Sequence, residues 1–359
     1  MSAKLFEKLN IRDLEISNRI FIAAMCQYSC ENQDGVVNEW HLVHLGSRAV
    51  GGAGLIISEA TAVVPEGRIS PWCPGIWNYG QVAAWARIND FIHSQGAKTA
   101  IQLAHSGRKG SSYRDWSGSG TVPIEKGGWQ TVAPSVSAFA EYAEPRELSV
   151  DEIHELVEHF AEGAKRARQA GFDAVEIHAA HGYLIHEFLS PITNKRNDEF
   201  GGSLENRARF LLAIVKAVRA QIGESVPLFV RFSATDYRDD GWTPEETAQV
   251  ATWCAEAGAD LFDISSGGLV TGVTIPSGPG YQVPLAEKVA TKVSQPVGAV
   301  GQITSAKQAE EILQGGEVDV ILIGRASLRD PYWPLRAAHE LNQEVTWPNQ
   351  YIRGKFPKD

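Results

Sequence analysis

Positive charge is in short supply in this 359-residue chain: 33 lysines and arginines stand against 43 aspartates and glutamates, a net charge of -10. That balance works against phosphate backbones and anionic lipid surfaces, so small molecules are the expected partners, not nucleic acid or membrane. Cysteine is scarce too. Cys26, Cys30, Cys73 and Cys254 are too few for a disulfide framework and form no C-x-x-C pair. Apolar runs stay short of the roughly eighteen residues a membrane span needs. The opening MSAKLFEKLN has no apolar stretch of a secretion signal. These absences predict a protein of the reducing cytoplasm. Missing as well is a G-x-G-x-x-G between a strand and a helix, so no separate dinucleotide-binding fold is expected.

What is present is a globular composition, 43% hydrophobic and 21% charged, with ample material for one large core. Eight short apolar segments recur: Ile20–Met25, Leu55–Thr61, Lys98–His105, Ala174–Ala180, Leu228–Thr235, Leu261–Ser266, Pro296–Ile303 and Asp319–Ala326. Nearly continuous apolar runs suit parallel strands buried on both faces. Helical patterns lie between them. Residues 149–169 put Ile153, Leu156, Val157, Phe160 and Ala164 on one face, and Ser149 with Glu152 has capping-box spacing. Thr243-Pro244-Glu245-Glu246 repeats that signal with proline at the first helical position. Further helices are predicted near 39–49, 80–94, 206–221, 284–293, 305–314 and 332–341. The alternation predicts an α/β fold, a single (β/α)8 TIM barrel domain over residues 1–359, with a doubly wound open sheet as the alternative. Residues 106–148 interrupt the rhythm after the third strand, and their glycine, serine, proline and tryptophan content predicts a capping insertion over the barrel mouth.

Chemistry concentrates in Ala174-Val175-Glu176-Ile177-His178-Ala179-Ala180-His181-Gly182-Tyr183. Side chains alternate along a strand, so His178 and His181 share a site only if the strand ends between them. Gly182 then permits a turn that brings both imidazoles and the Tyr183 hydroxyl together. Imidazole N–H donors suit an oxygen gaining negative charge, and a tyrosine suits proton delivery. A His-x-x-His pair also fits half of a zinc site, with His41 or His105 as further ligands. Arg231 falls inside a strand, where it needs an anionic ligand or a structural carboxylate. Gly301 and Gly324, with Arg325, stand at the ends of the seventh and eighth segments, where barrels often bind phosphate.

Taken together, Ala24-Met25-Cys26-Gln27-Tyr28, Ile101-Gln102-Leu103-Ala104-His105-Ser106-Gly107-Arg108-Lys109, His178-Ala179-Ala180-His181-Gly182-Tyr183, Phe188-Leu189-Ser190-Pro191, Gly201-Gly202-Ser203-Leu204-Glu205-Asn206-Arg207 and Gly324-Arg325 resemble the Old Yellow Enzyme family of FMN-dependent ene-reductases, in its thermophilic-like subgroup. The resemblance runs along essentially the whole chain. It implies a flavoprotein with bound FMN and NADPH or NADH as hydride donor. The implied reaction reduces activated C=C bonds of enones, enals, maleimides or nitro compounds, with hydride passing from flavin N5 to Cβ and a proton to Cα.

The resemblance also implies site roles. Ala23, Ala24, Met25, Cys26, Ala60, Gln102, Arg231, Gly301, Gly324 and Arg325 match cofactor-binding positions. His178 and His181 match donors to the substrate oxygen, Tyr183 the proton donor, and Tyr28 with Cys26 the substrate pocket; no metal is implied. Residues 342–359 resemble a tail reaching a neighbouring subunit, with Arg353 entering its site, which implies a homodimer or homotetramer. Ala23 and Ala24 depart from the hydroxyl or proline common in the family, and Gly267–Tyr281 is a variable, glycine-rich stretch. Outside the ene-reductase reading stand a zinc-dependent barrel hydrolase and a flavin-binding redox sensor acting through Cys26.

Overall fold

The computed structural model describes residues 3–357. Strands β1 (Ile20–Ile22), β2 (Leu55–Ala62), β3 (Lys98–Ala104), β4 (Ala174–Ala179), β5 (Leu228–Ser233), β6 (Leu261–Ser265), β7 (Val297–Ala299) and β8 (Val320–Ile323) form a closed barrel. Each pairs in parallel with its neighbours in sequence, and β8 pairs back onto β1. Around them run α1 (Glu39–Val50), α2 (Tyr79–Ser94), α3 (Val150–Gln169), α4 (Leu204–Ile222), α5 (Pro244–Glu256), α6 (Val283–Ala290), α7 (Ala306–Gly315) and α8 (Trp333–Glu340). This is the (β/α)8 barrel, and the open sheet is excluded by the β8–β1 closure.

The capping chemistry read from the sequence is in place. Ser149 Oγ accepts from Glu152 N while the Glu152 carboxylate accepts from Ser149 N, so two backbone donors that α3 cannot satisfy internally are both met. Thr243 and Glu246 do the same for α5. The apolar face of α3 turns Ile153, Leu156, Val157, Phe160 and Ala164 into the layer between helices and strands.

Three strands have half the length of their apolar segments or less. β1, β7 and β8 leave the ladder at Ile22, Ala299 and Ile323, which places Met25, Gly301 and Gly324 in the connecting loops. The departures occur where Gly301 adopts φ +120° and Gly324 opens a five-residue helix, Arg325–Arg329. A hairpin, Leu9–Ile11 with Leu14–Ile16, carries no sequence signal of comparable length. Its alternate side chains pack with Phe21, Leu55, Phe229 and Leu261 and plug the N-terminal end of the lumen. A short helix, Leu184–Leu189, follows the loop after β4.

Period-two alternation then decides what faces the lumen above that plug. On the face of Ala174 lie Glu176 and His178; on that of Phe229 lie Arg231 and Ser233; on that of Leu261 lie Asp263 and Ser265. Residues 106–148 hold a small parallel pair, Val132–Ala133 with Arg146–Glu147. They contact the loops at the C-terminal ends of the strands: Arg108 donates to Leu269 O, Lys109 to His181 O and Gly268 O, and Arg114 to Tyr28 O. Among the described residues no helix is long and apolar enough to cross a membrane.

Packing also buries imidazoles. His44 on α1 is pushed down to about 3 by burial and then by Arg48, and His105 beyond β3 to about 3 by burial and then by His159. Below the ordinary histidine value of 6.5 the unfolded chain takes up protons that the folded chain refuses, so stability is expected to fall as pH drops from 6.5 toward about 3. Urea titrations at a series of pH values check this. A midpoint that stays level on going from about pH 7 to about pH 5 would contradict it.

Candidate active site

β4 ends at Ala179, between the two histidines. The chain then turns through His181 at φ 59° and Gly182 at φ 72°. A Cβ on Gly182 would lie 2.3 Å from Gly268 O, so the loop after β4 packs backbone to backbone on the loop after β6, and glycine is required for space as well as for φ. The turn brings the three rings together. The His178 ring lies 5.2 Å from that of His181 and 5.2 Å from that of Tyr183, edge-on to each.

Buried polar groups hold this turn from beneath. Gly182 N donates to His186 Nδ1 at 2.9 Å, which leaves the His186 proton on Nε2, 3.0 Å from Asp236 Oδ1. Asp236 Oδ2 in turn accepts from Ser190 Oγ and Trp242 N. His181 N donates to Ser233 Oγ at 2.9 Å. Lys109 Nζ reaches His181 O and Gly268 O, each at 2.8 Å, and lies 5.0 Å over the Tyr183 ring.

Burial and then the Arg231 charge hold His178 and His181 well below the usual histidine range, so both are neutral. A neutral imidazole donates through one nitrogen. His181 Nε2 lies 2.8 Å from Ser265 Oγ, whereas His178 Nδ1 is buried without a partner. Tyr183 is raised well above the usual phenol value by burial and then by Cys26, which keeps its proton on. Cys26 is pushed up to about 12 by burial and then by Glu59. It is a thiol at neutral pH, which disfavours the redox-sensor reading, since the thiolate is the reactive form. Glu59 also accepts from Gln27 N and faces His41 Nε2 at 3.3 Å, anchoring the loop after β1. Cys26, Tyr28 and Tyr183 pack together with Ala60, Ile69, Cys73 and Ala104.

Beside this pocket lies a cleft of about 350 Å³ whose walls include Arg231, Ser265, Gly301, Gly324, Arg325 and Arg329. A Cβ on Gly324 would meet nothing nearer than Met25 Sδ, at 3.9 Å, so the space above that backbone is the cleft itself. Arg325 and Arg329 form no ion pair among the described residues. Two guanidinium groups without an ion pair, beside the half-buried and unobstructed Gly324 backbone, fit a phosphate-bearing cofactor. At the lumen end Arg231 Nε lies 3.0 Å from Asp263 Oδ2, so the structure supplies a carboxylate of its own to that arginine. Gln102 Nε2 donates to Glu176 Oε1, and Gln102 N to Ser58 Oγ where β2 bulges between Ile57 and Ala60. Ala23 lies in the lumen core with Ala24 packed against it.

Arg353 is not brought to this site within one chain. It is exposed in the turn Asn349–Gly354, and the tail around it packs on its own α8, with the Phe356 ring stacked 4.5 Å from that of His339. Nor do His41 and His105 join His178: the first bonds Asn38 and Glu59, and the second accepts from Gly107 N. Among the described residues no three His, Cys, Asp or Glu side chains gather as a metal site would require.

Several residues of the site were not singled out by spacing. Glu176 and Asp263 had a usable signal, a carboxylate inside an otherwise apolar strand. Ser265 and Asp236 had none, because each acts on a partner from a different loop or strand, whereas His186, four residues past Gly182, acts both locally and on distant Asp236.

Comparison with known proteins shows the family. Residues 4–344 match the family described as NADH:flavin oxidoreductase / NADH oxidase. Over 355 residues the chain is 46% identical to an NADPH dehydrogenase of Bacillus subtilis (strain 168), across 99% of this chain and 100% of that protein. It superposes on a 2-naphthoyl-CoA reductase complex with a TM-score of 0.86 at 29% identity, covering 95% of this chain and 53% of that one, about half its length. On the old yellow enzyme homologue from Zymomonas mobilis the TM-score is 0.78 at 29% identity, across 98% of each chain. The chain thus belongs to the NADH:flavin oxidoreductase / NADH oxidase family and is an FMN-dependent oxidoreductase of the Old Yellow Enzyme type, with a nicotinamide as hydride donor.

Proposed function

We propose that the chain is an ene-reductase: it uses NADPH or NADH to reduce the activated C=C bond of enones, enals, maleimides or nitroalkenes. The observation that carries this reading is the convergence of two neutral imidazoles and one protonated phenol on a single pocket beside the arginine-lined cleft. Neutral N–H donors stabilise charge that develops on a carbonyl or nitro oxygen without themselves losing a proton. His178 Nδ1 has no hydrogen-bond partner within the protein, and for His181 the substrate oxygen competes with Ser265 Oγ.

Tyr183 keeps its proton until Cα needs it, and the Lys109 ammonium over its ring eases the negative charge left behind. Tyr28 and Cys26 line the substrate's path. Arg325 with the backbone at Gly301 and Gly324 would hold the FMN phosphate, Arg231 and Gln102 its pyrimidine edge, and Ala23, Ala24, Met25, Cys26 and Ala60 the ring face. When bound, FMN supplies the hydride chemistry, and the protein supplies position and field.

Residues 106–148 would cap the mouth of a single-domain barrel, supported by their bonds to the loops carrying Tyr28, His181 and Leu269. The exposed Arg353 suits entry into the site of a second copy, in a homodimer or homotetramer. The acidic surface and absence of a membrane-spanning helix among the described residues suit a cytoplasmic enzyme of small molecules.

An anaerobic spectrum tests the reading: the flavin band is expected to bleach on adding NADPH and to return on adding cyclohexenone. Flavin that stays bleached in the enone would refute it. Tyr183→Phe is expected to slow the return by about 10²–10⁴-fold while leaving the bleaching rate unchanged. Equal slowing of both would remove Tyr183 as proton donor. His178→Ala combined with His181→Ala should weaken phenol binding and retain FMN, and release of FMN would contradict their assignment to the substrate.

A further inference from the structure

Beneath the His178 ring the lumen holds ionisable groups that the proposed reaction does not use. Glu176 is the next inward residue down β4. Gln102 on β3 is its register partner, and Arg231 on β5 is the register partner of Asp263 on β6. Glu176 and Asp263 are 0% exposed. One guanidinium therefore faces two carboxyl groups in a closed tube whose floor is apolar.

The contacts divide unequally. Asp263 Oδ2 sits 3.0 Å from Arg231 Nε, at ion-pair distance although neither Asp263 oxygen is in hydrogen-bond alignment with it. Glu176 has only an amide beside it, with Gln102 Nε2 donating to Oε1 at 2.7 Å, and its Oε2 has no partner. If both carboxyl groups ionised, the lumen would carry one uncompensated negative charge. Several kcal/mol is the usual effective penalty for each buried ion, and a buried acid escapes it by keeping its proton. Burial raises Asp263 as well, but Asp263 has the Arg231 charge within ion-pair reach to oppose that rise, so of the two the proton belongs on Glu176.

We propose that Glu176 is a carboxylic acid in the working enzyme, a positioning residue whose proton leaves the Arg231 charge undivided and the Gln102 amide oriented toward the cofactor's pyrimidine edge. This rests on the assignment of Arg231 and Gln102 to FMN. Facing Glu176 are neutral Gln102 from β3, Arg231 from β5, Asp263 from β6 and neutral His178 on its own strand, while Glu59 on β2 is engaged by His41 and Gln27. Burial and then Asp263 raise Glu176 to about 8, in keeping with that arrangement. Above that pH its ionisation would add a negative charge to the lumen where Arg231 and Gln102 would hold the cofactor, and reduction of that cofactor would add another. Binding of reduced FMN should then weaken relative to oxidised FMN, and reduction should draw a proton from solution onto Glu176.

The test is a potentiometric titration of the bound flavin against pH in the wild type and in Glu176→Gln, with infrared spectra of both. In the wild type the ratio of reduced to oxidised FMN affinity should fall by up to about tenfold per pH unit beyond what Glu176→Gln shows, ~30 mV per unit for a two-electron couple. This extra dependence should set in near pH 8. The wild-type minus Glu176→Gln difference spectrum, in which the buried Glu187 cancels, should show a carboxylic-acid C=O band at neutral pH that is lost above about pH 8.

Parallel potential curves for the two proteins, or a band unaffected by the substitution, would overturn the proposal. Unchanged FMN affinity in both Gln102→Ala and Arg231→Ala would instead overturn the cofactor assignment beneath it. Should Glu176→Gln fail to fold, the labelled band on ¹³C-glutamate incorporation is compared between the wild type and Glu187→Gln, because burial raises Glu187 to about 8 as well: a band that vanishes in Glu187→Gln overturns the proposal, and one that persists there at neutral pH and is lost near pH 8 supports it.

Discussion

A charge that points into a closed parallel barrel has no water to retreat to, and the placing of Arg231 in that lumen governs much of what surrounds it. Its partner Asp263 must come from the adjacent strand, because only a register neighbour lies within ion-pair reach at that depth. The same cation acts upward. Together with burial it keeps His178 and His181 neutral, so the two imidazoles are hydrogen-bond donors and not acids. One guanidinium thus ties the Asp263 carboxylate below it to the His178 and His181 imidazoles above it through its field, over and above any direct contact.

The upper part of the site depends on a different kind of constraint. His181 and Tyr183 lie on a loop, which by itself would leave them mobile. Here the loop is pressed onto the loop after β6 at Gly182 and Gly268, bridged by Lys109, and pinned below by the His186–Asp236 pair. Catalytic groups need their supporting contacts to hold them within a fraction of an ångström. The three rings owe their edge-on arrangement to these buried contacts. The neighbouring stretch Gly267–Tyr281 has fewer buried side chains, so fewer packing contacts hold it in place.

Much of this was legible in the residues themselves. Eight apolar segments correspond to eight strands, and the Ser149/Glu152 and Thr243/Glu246 spacings mark the helix starts, because capping is a local interaction between residues three apart. That β4 must end between His178 and His181 follows from the period of two alone. The same period shows that Glu176 shares a face with His178.

What the tertiary structure decided is which partner each polar group meets. Arg231 could have faced a ligand or a carboxylate, and closure of the barrel at one register brought Asp263 beside it. Ser265 reached His181 across 84 positions, and Asp236 reached His186 across loops with no shared motif. The ends of β1, β7 and β8 were set by where neighbouring strands stop offering hydrogen bonds, and the tail around Arg353 by aromatic packing on α8. Local patterns settle element type and face because those depend on residues within a turn or two. Partner choice depends on how eight strands stagger when they close, which no single stretch of chain contains.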